Sequence, residues 1–339
     1  MERYLLYNDD VPVARFEHEA GIISAYTALA PELLPMQIRD ASAEGFTAWL
    51  HERAIDLNVF RHRQLMHGLL GTRDKVSIAL KPHMFSISDT FTCFAEGELV
   101  PRAALCDPVA QNEIGDFILV GGDTTLRRIG FATPNASTDG SFTKTWRYED
   151  GDWWLYKLQS AEATRSEYEI GCVLRECGWD AAEYAYDPAD PSRIRTRNFV
   201  GQGEFFEPYD SLRYIFTDRS DDDAAIAAGL ASLGPEFLKA WKRILLADAL
   251  FENTDRHMRN FGAIRSSATG RILRLAPNFD NNQAYKANPG GKYSDGMLKL
   301  LAAAGGIDRS DLEALVGACR DHPYLAEAAE AGEKVLRGS

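Results

Sequence analysis

The stretch from Pro235 to Asp280 constrains this chain more than any other. Pro235 sits where a first-turn proline fits, and Phe237, Trp241, Ile244, Leu245 and Asp248 fall on one face of the helix it opens. That helix stops near Glu252. There follows Asn253-Thr254-Asp255-Arg256-His257-Met258-Arg259-Asn260-Phe261-Gly262, then short strands near residues 261–264 and 271–275, then Ala276-Pro277-Asn278-Phe279-Asp280. Singly, Asn253, Asp255 and Asn260 are ordinary turn and cap residues. Two acids and an amide on loops beside short strands are together a metal–phosphate arrangement. Mg²⁺ prefers hard oxygen ligands and takes one or two of them from carboxylates, leaving the rest to water and phosphate. Asp255 can accept a proton from an attacking hydroxyl, Asn260 can hold Mg²⁺ by its side-chain carbonyl, and Asp280 can bridge metal to phosphates.

The rest of the chain divides by pattern. Residues 4–7 and 11–16 read as two strands joined by an Asn8-Asp9-Asp10 turn, and two helices are expected near residues 43–54 and 58–70. The second carries Arg61, His62, Arg63 and His67, read as a solvated basic face. His62 and His67 are five apart and do not share a helix face as a zinc pair would, so no metal is assigned to them. Between residues 105 and 199 short strands are expected. One is at 117–120, ending at Gly121-Gly122, and a hairpin joins 143–148 to 153–158 through an Asp150-Gly151 turn. A helix at 166–177 is closed by Gly178, and a strand at 193–200 ends in Gly201-Gln202-Gly203. From Glu204 onward the chain reads as mostly helical, with last helices at 308–319 and 324–336. This order predicts an α+β chain with an N-terminal accessory segment (1–105), a strand-rich lobe (106–203) and a helical lobe (204–339), with a cleft between the lobes.

Composition narrows the partners. Of 339 residues, 37 are Lys or Arg and 50 are Asp or Glu, a net charge of -13 that disfavours general binding to nucleic acid or to an anionic membrane surface. With 45% hydrophobic residues the chain can bury a large core, which excludes a disordered or fibrous protein. The cysteines, Cys93, Cys106, Cys172, Cys177 and Cys319, form no CxxC pair and read as reduced core thiols. Asp9 and Asp10 stand where a secretory leader needs apolar residues, and no apolar run approaches the roughly 18 residues of a membrane span, so a cytoplasmic protein is expected.

The Asp255–Asn260 interval of five equals that of the kinase catalytic loop H-R-D-x-x-x-x-N. The string N-T-D-R-H-M-R-N followed by A-P-N-F-D resembles the catalytic and metal loops of the HipA-like serine/threonine protein kinase family, with the likeness running over about residues 130–300 and strongest at 250–282. The resemblance implies a two-lobed protein-kinase-like fold with a small extra N-terminal α/β segment. It makes Asp255 the catalytic aspartate, places His257 of the same loop in the catalytic and nucleotide-binding set, and makes Asn260 and Asp280 the Mg²⁺ ligands. Asn281-Asn282 departs from the Gly that follows the metal Asp in typical eukaryotic kinases, which argues against control by a flip of that loop.

A kinase also needs a cation on the α/β-phosphates and an acid to order it. Lys157 lies on the apolar strand Trp153-Trp154-Leu155-Tyr156-Lys157, and Glu167 stands ten positions on, where Ser166-Glu167-Tyr168 resembles the family's Asn-Glu-Tyr. Glu169 is a rival on a different face of that helix. The phosphate loop would be Ser137-Thr138-Asp139-Gly140-Ser141-Phe142-Thr143-Lys144, in which Gly140 lets backbone N–H groups approach a phosphate and Lys144 neutralises it. No Walker A pattern is present. By resemblance Ser137, beside Thr138, is the position that becomes autophosphorylated, and Asp139 departs from the family's pattern. Adenine would stack against the strand ending at Val200 and the Gly201–Gly203 hinge. The expectation is therefore ATP- and Mg²⁺-dependent phosphoryl transfer to a Ser/Thr hydroxyl of a protein, in a bacterial toxin–antitoxin setting with an antitoxin-like partner. The alternatives are a small-molecule phosphotransferase of the same fold and a nucleotide-binding regulatory protein without turnover.

Overall fold

The computed structural model describes residues 2–55, 57–58, 62–64, 71–121, 132–137 and 142–338. The first elements are β1 (Glu2–Asn8), β2 (Val11–Glu19), β3 (Ile22–Ala28), α1 (Ala43–Arg53), α2 (Lys75–Leu80), β4 (Phe91–Ala95), α3 (Arg102–Leu105), α4 (Gln111–Val120), β5 (Thr143–Glu149) and β6 (Asp152–Leu158). Then come α5 (Ala161–Glu176), β7 (Tyr184–Asp187), β8 (Asp190–Arg197), β9 (Glu204–Pro208), α6 (Tyr209–Leu212), α7 (Asp223–Leu233) and α8 (Pro235–Phe251). The chain continues through β10 (Gly262–Ser266), β11 (Ile272–Leu275), α9 (Gly296–Ala303), α10 (Arg309–Cys319) and α11 (Ala326–Gly338). The architecture is mixed α and β, in two compact units: Met1–Leu158 with Val200–Glu207 and Ile264–Leu273, and Gln159–Phe199 with Pro208–Ala263 and Arg274–Ser339.

The first unit is built on an antiparallel sheet of order β3-β2-β1-β4. Asn8 pairs with Val11 at the expected turn, and Leu6 pairs with Cys93 on the other side of β1. Its buried face meets α1, which Ser42 caps by accepting from the Gly45 N–H, and Phe16, Phe46, Trp49 and Phe91 fill the layer between them. Strands β9, β10 and β11 form a three-stranded sheet of order β11-β10-β9. Within this unit a fully buried ion pair joins Arg265 to Glu207, and the Arg265 guanidinium also donates to the carbonyls of Glu32, Leu34 and Gly270. Gly270 has φ +67°, and a Cβ there would lie 1.9 Å from the Glu32 carbonyl oxygen, so only glycine fits.

The β5–β6 hairpin forms as read. Asp150 (φ 53°) and Gly151 (φ 86°) supply the two positive φ angles of a two-residue hairpin turn. The register sets Lys144 opposite Lys157 and Trp146 opposite Leu155, so both lysines leave the same face of the hairpin. The Asn135 side-chain carbonyl accepts from the Trp146 N–H (2.7 Å) and the Thr145 hydroxyl (2.8 Å), tying the turn at Pro134–Ser137 to β5.

Several readings change. Residues 117–120 are the end of helix α4, not a strand. Its buried Ile114, Gly115, Ile118 and Leu119 recur at a helical interval, and a four-residue apolar run does not by itself distinguish the two. The helix expected from Ser166 starts five residues earlier, because Ser160 caps it by accepting from the Ala163 N–H; Glu167 lies inside α5 rather than opening it. Glu204 begins strand β9, with Phe205 and Glu207 buried in alternation. His62 is buried rather than on a solvated face, while Arg61 and His67 lie outside the described residues. All five cysteines are free, with Cys93 and Cys319 buried.

The second unit packs α5, α8, α9, α10 and α11 round a core that includes Ile170, Leu174, Leu250, Leu312, Leu315 and Leu325. The β7–β8 hairpin and the loops of residues 253–260 and 276–283 belong to it. No helix among the described residues is long and apolar enough to cross a membrane.

Candidate active site

Helix α8 ends in a left-handed Glu252 (φ 50°), and the Asn253 N–H turns back onto the Asp248 carbonyl at 2.9 Å. That reversal starts the loop bearing Asp255, and Arg256 fixes the loop's course. Its Nε donates to Asp248 Oδ2 and its Nη2 to Asp248 Oδ1, both at 2.9 Å, so one face of the guanidinium is spent on a buried carboxylate of α8. Its Nη1 donates to the backbone carbonyls of Asn260 (2.7 Å) and Phe279 (2.8 Å). Burial works against the charge of Arg256, and Asp248 outweighs it, holding the group above its ordinary pKa. One side chain thereby joins the end of the first loop to the residue just before Asp280.

Asp255 is half-buried. Its N–H donates to Asn253 Oδ1 (3.2 Å), and its carbonyl accepts from the His257 N–H (2.9 Å) and from Asn260 Nδ2 (3.0 Å). Its carboxylate Oδ2 accepts from Gln283 Nε2 at 2.7 Å. With the Asn260 amide nitrogen committed to Asp255, its Oδ1 is the atom left to meet a cation. His257 is exposed, and its Nδ1 accepts from the Arg259 N–H at 3.2 Å, which leaves Nε2 facing outward.

Asp280 follows on a strand-like segment that is tied in by Asn278, whose N–H donates to the Asp180 carbonyl (2.8 Å) and whose carbonyl accepts from the Ala182 N–H (2.9 Å). Asp280 itself is left-handed, φ 61°, a conformation costing about 1–2 kcal/mol for a residue with a side chain. Its N–H donates to the Tyr184 hydroxyl at 3.1 Å. The next three side chains each make a separate tie. Asn281 Oδ1 accepts from Arg256 Nη2 (3.0 Å) and Asn253 Nδ2 (3.4 Å); Asn282 Nδ2 donates to Gln159 Oε1 (3.4 Å); Gln283 reaches Asp255. Gln159 Nε2 in turn donates to Glu167 Oε2 at 3.0 Å, and Glu167 is fully buried on α5. Glu169 is engaged elsewhere, with His322 at 2.7 Å and Arg165 at 3.7 Å.

The second unit thus gathers Asp255, Asn260, Asp280 and Glu167 into one network. Lys144, Lys157 and Ser137 belong to the first unit. Lys157 is 6% exposed on β6, opposite the half-buried Lys144. The Ser137 hydroxyl points at the carbonyls of Pro134 (3.0 Å) and Phe85 (3.1 Å). Thr138 and Gly140 lie outside the described residues. The network also contains Arg256, Asn278, Gln159 and Gln283, to which the sequence reading gave no role, and Asn281, which it noted only as a departure after the metal acid. Only Asp248 gave a signal, as a carboxylate on the apolar face of its helix.

For a metal, the donor chemistry fits Mg²⁺: one carboxylate and one amide carbonyl are hard oxygens, and this ion takes its remaining ligands from phosphate and water. Among the described residues no cluster of three or more His, Cys, Asp or Glu side chains gathers as a self-sufficient metal site.

No family model matches the chain, and no curated protein does. Among solved structures, HipA of Shewanella oneidensis MR-1, in a toxin–antitoxin complex with HipB and operator DNA, is similar over 98% of this chain and 96% of its own, at 12% identity and a TM-score of 0.58. The Helicobacter pylori proinflammatory kinase CtkA is similar over 57% of this chain and 90% of its own, at 14% identity and a TM-score of 0.42. The chain has a HipA-like fold.

Proposed function

We propose that this chain is a phosphotransferase that moves the γ-phosphoryl group of ATP to a Ser or Thr hydroxyl of a protein. The observation that carries the reading is the position of Arg256, whose guanidinium bonds the carbonyls of Asn260 and Phe279 and so sets the loops of Asp255 and Asp280 against each other.

Asp255 takes the proton of the acceptor hydroxyl as its oxygen forms the new bond to phosphorus and the bond from phosphorus to ADP breaks. Asn260 and Asp280 hold Mg²⁺, which supplies neutralisation of the charge on the phosphates. Lys157 and Lys144, on one face of the β5–β6 hairpin, neutralise phosphate oxygens, and His257, through its outward Nε2, donates to the nucleotide. Glu167 orders Lys157, with Gln159 holding Glu167 in place; Glu169 is spent on His322. Asn281 and Asn282, locked by Arg256 and Gln159, keep Asp280 in one position. Little covalent chemistry falls to the protein, so positioning and charge supply most of the rate.

The same reading takes a protein partner of the antitoxin kind, since the HipA neighbour was solved with HipB and operator DNA. The net charge of -13 assigns no general nucleic-acid surface to this chain itself, and the cytoplasm is the matching location. Ser137 is the proposed autophosphorylation site; its hydroxyl must leave the Pro134 and Phe85 carbonyls to react.

The test is incubation of the purified chain with γ-labelled ATP, Mg²⁺ and a cell lysate. Label in a protein band, lost on omitting Mg²⁺, supports the reading. Label confined to small molecules would replace the acceptor class, and no transfer of any kind would overturn the activity.

A further inference from the structure

We propose that Gln283 is a positioning residue for Asp255, an inference that rests on the phosphotransfer reading above. Three residues beyond the metal-loop acid Asp280, its side-chain amide donates to Asp255 Oδ2 at 2.7 Å. Among the described residues no other donor to that carboxylate is found. The remaining ties of Asp255 are all made by its backbone: Asn253 accepts from its N–H, while His257 and Asn260 donate to its carbonyl. These bonds fix where the Cα sits and leave the two carboxylate torsions open.

Gln283 closes that freedom. A neutral amide donor pins one oxygen without pairing off the negative charge, as a lysine or arginine would. With Oδ2 held, Oδ1 is the oxygen presented to the acceptor hydroxyl. The arrangement also has a logic in sequence. Residues 281, 282 and 283 tie the same short loop to the Arg256 hub, to Gln159 and Glu167, and to Asp255. The loop that holds the metal therefore also aims the base, and displacement of Asp280 would release the base at the same time.

The experiment measures label transfer from ATP and Mg²⁺ to lysate protein at saturating ATP, together with the KM for ATP, for the full chain and five variants. Gln283→Met keeps the length of the side chain and removes the donor. It is expected to slow transfer about tenfold to a hundredfold, the scale of a misplaced reacting group, with the KM for ATP unchanged. Gln283→Glu, which sets a second carboxylate against Asp255, is expected to be slower still. Gln283→Lys restores a donor but pairs off part of the Asp255 charge, so it is expected to recover part of the rate lost in Gln283→Met, which a purely structural role would not produce. In an Asp255→Asn background, Gln283→Met should change nothing further.

Wild-type transfer by Gln283→Met, or equal losses in the Met and Lys variants, would overturn this inference and leave the phosphotransfer reading standing. Absence of transfer by the wild-type chain would overturn both. Should Gln283→Met fail to fold, the contrast between the Glu and Lys variants decides.

Discussion

Arg256 meets Asp248 as a two-pronged pair, Nε on Oδ2 and Nη2 on Oδ1, each at 2.9 Å, with side chains only 7% and 5% exposed. The pair does not owe its place to Coulomb attraction alone, because removing both charges from water costs about as much as their attraction returns. Its importance is that the same guanidinium satisfies two loop carbonyls that no helix or strand would otherwise pair.

Arg256→Met should therefore destabilise the fold by about 3–5 kcal/mol, leaving a buried carboxylate and two carbonyls without their donor. Arg256→Lys should recover little, since one ammonium cannot reproduce the fork. Urea unfolding of the variants measures this. A loss below about 1 kcal/mol would mean that the loops are held by other contacts.

The contrast between Asp248 and Arg256 shows what the sequence can and cannot disclose. Asp248 stands out as an acid on an apolar helical face, and Asp255, Asn260 and Asp280 stand out because short loops carry their chemistry in a recognisable interval. The β5–β6 hairpin is equally readable, because Asp150-Gly151 dictates its own turn. Arg256, Asn278, Asn281 and Gln283 give no such signal. Each looks like a solvated loop residue until the tertiary fold brings its partner from 3 to 28 positions away. Helix α4 was open to misreading for a different reason: Phe117-Ile118-Leu119-Val120 suits a buried strand or a helix end, and packing decides between them.

Asp255→Asn preserves size and can still accept from Gln283 through its amide oxygen, so the fold should stand. Transfer should fall by at least about 100-fold, the usual scale for a general base. Single-turnover label transfer checks this, alongside an unfolding curve matching wild type. Undiminished transfer would show that another group takes the proton.

Asp280→Ala separates metal binding from support of the fold. Its left-handed backbone is held by Tyr184 and by the neighbours of Asn281, not by its own carboxylate alone. Titration calorimetry with ATP should therefore show a large loss of affinity when Mg²⁺ is present and a small one when it is absent. Equal losses under both conditions would make Asp280 a structural residue.

The last prediction concerns pH. His322, between α10 and α11, places Nδ1 2.7 Å from Glu169 Oε2 and Nε2 3.2 Å from Glu176 Oε1, both carboxylates of α5. A neutral imidazole has one N–H and can donate to only one of them; the imidazolium donates to both. Burial lowers the pKa of His322, but the bonds to Glu169 and Glu176 outweigh it and hold the group above its usual 6.5. Arg165, which also contacts Glu169, and Cys172 are the other polar groups of α5 nearby, and neither cancels the two carboxylates. Because the folded pKa is the higher one, the stabilisation is fully present below the unfolded value and is lost as pH rises through the folded value. His322→Gln should therefore lower the melting temperature most near pH 5 and least near about pH 8, measured against wild type at each pH. A difference that stays constant over that range would mean that His322 contributes by packing, and a difference that grows with pH would reverse the assigned charge.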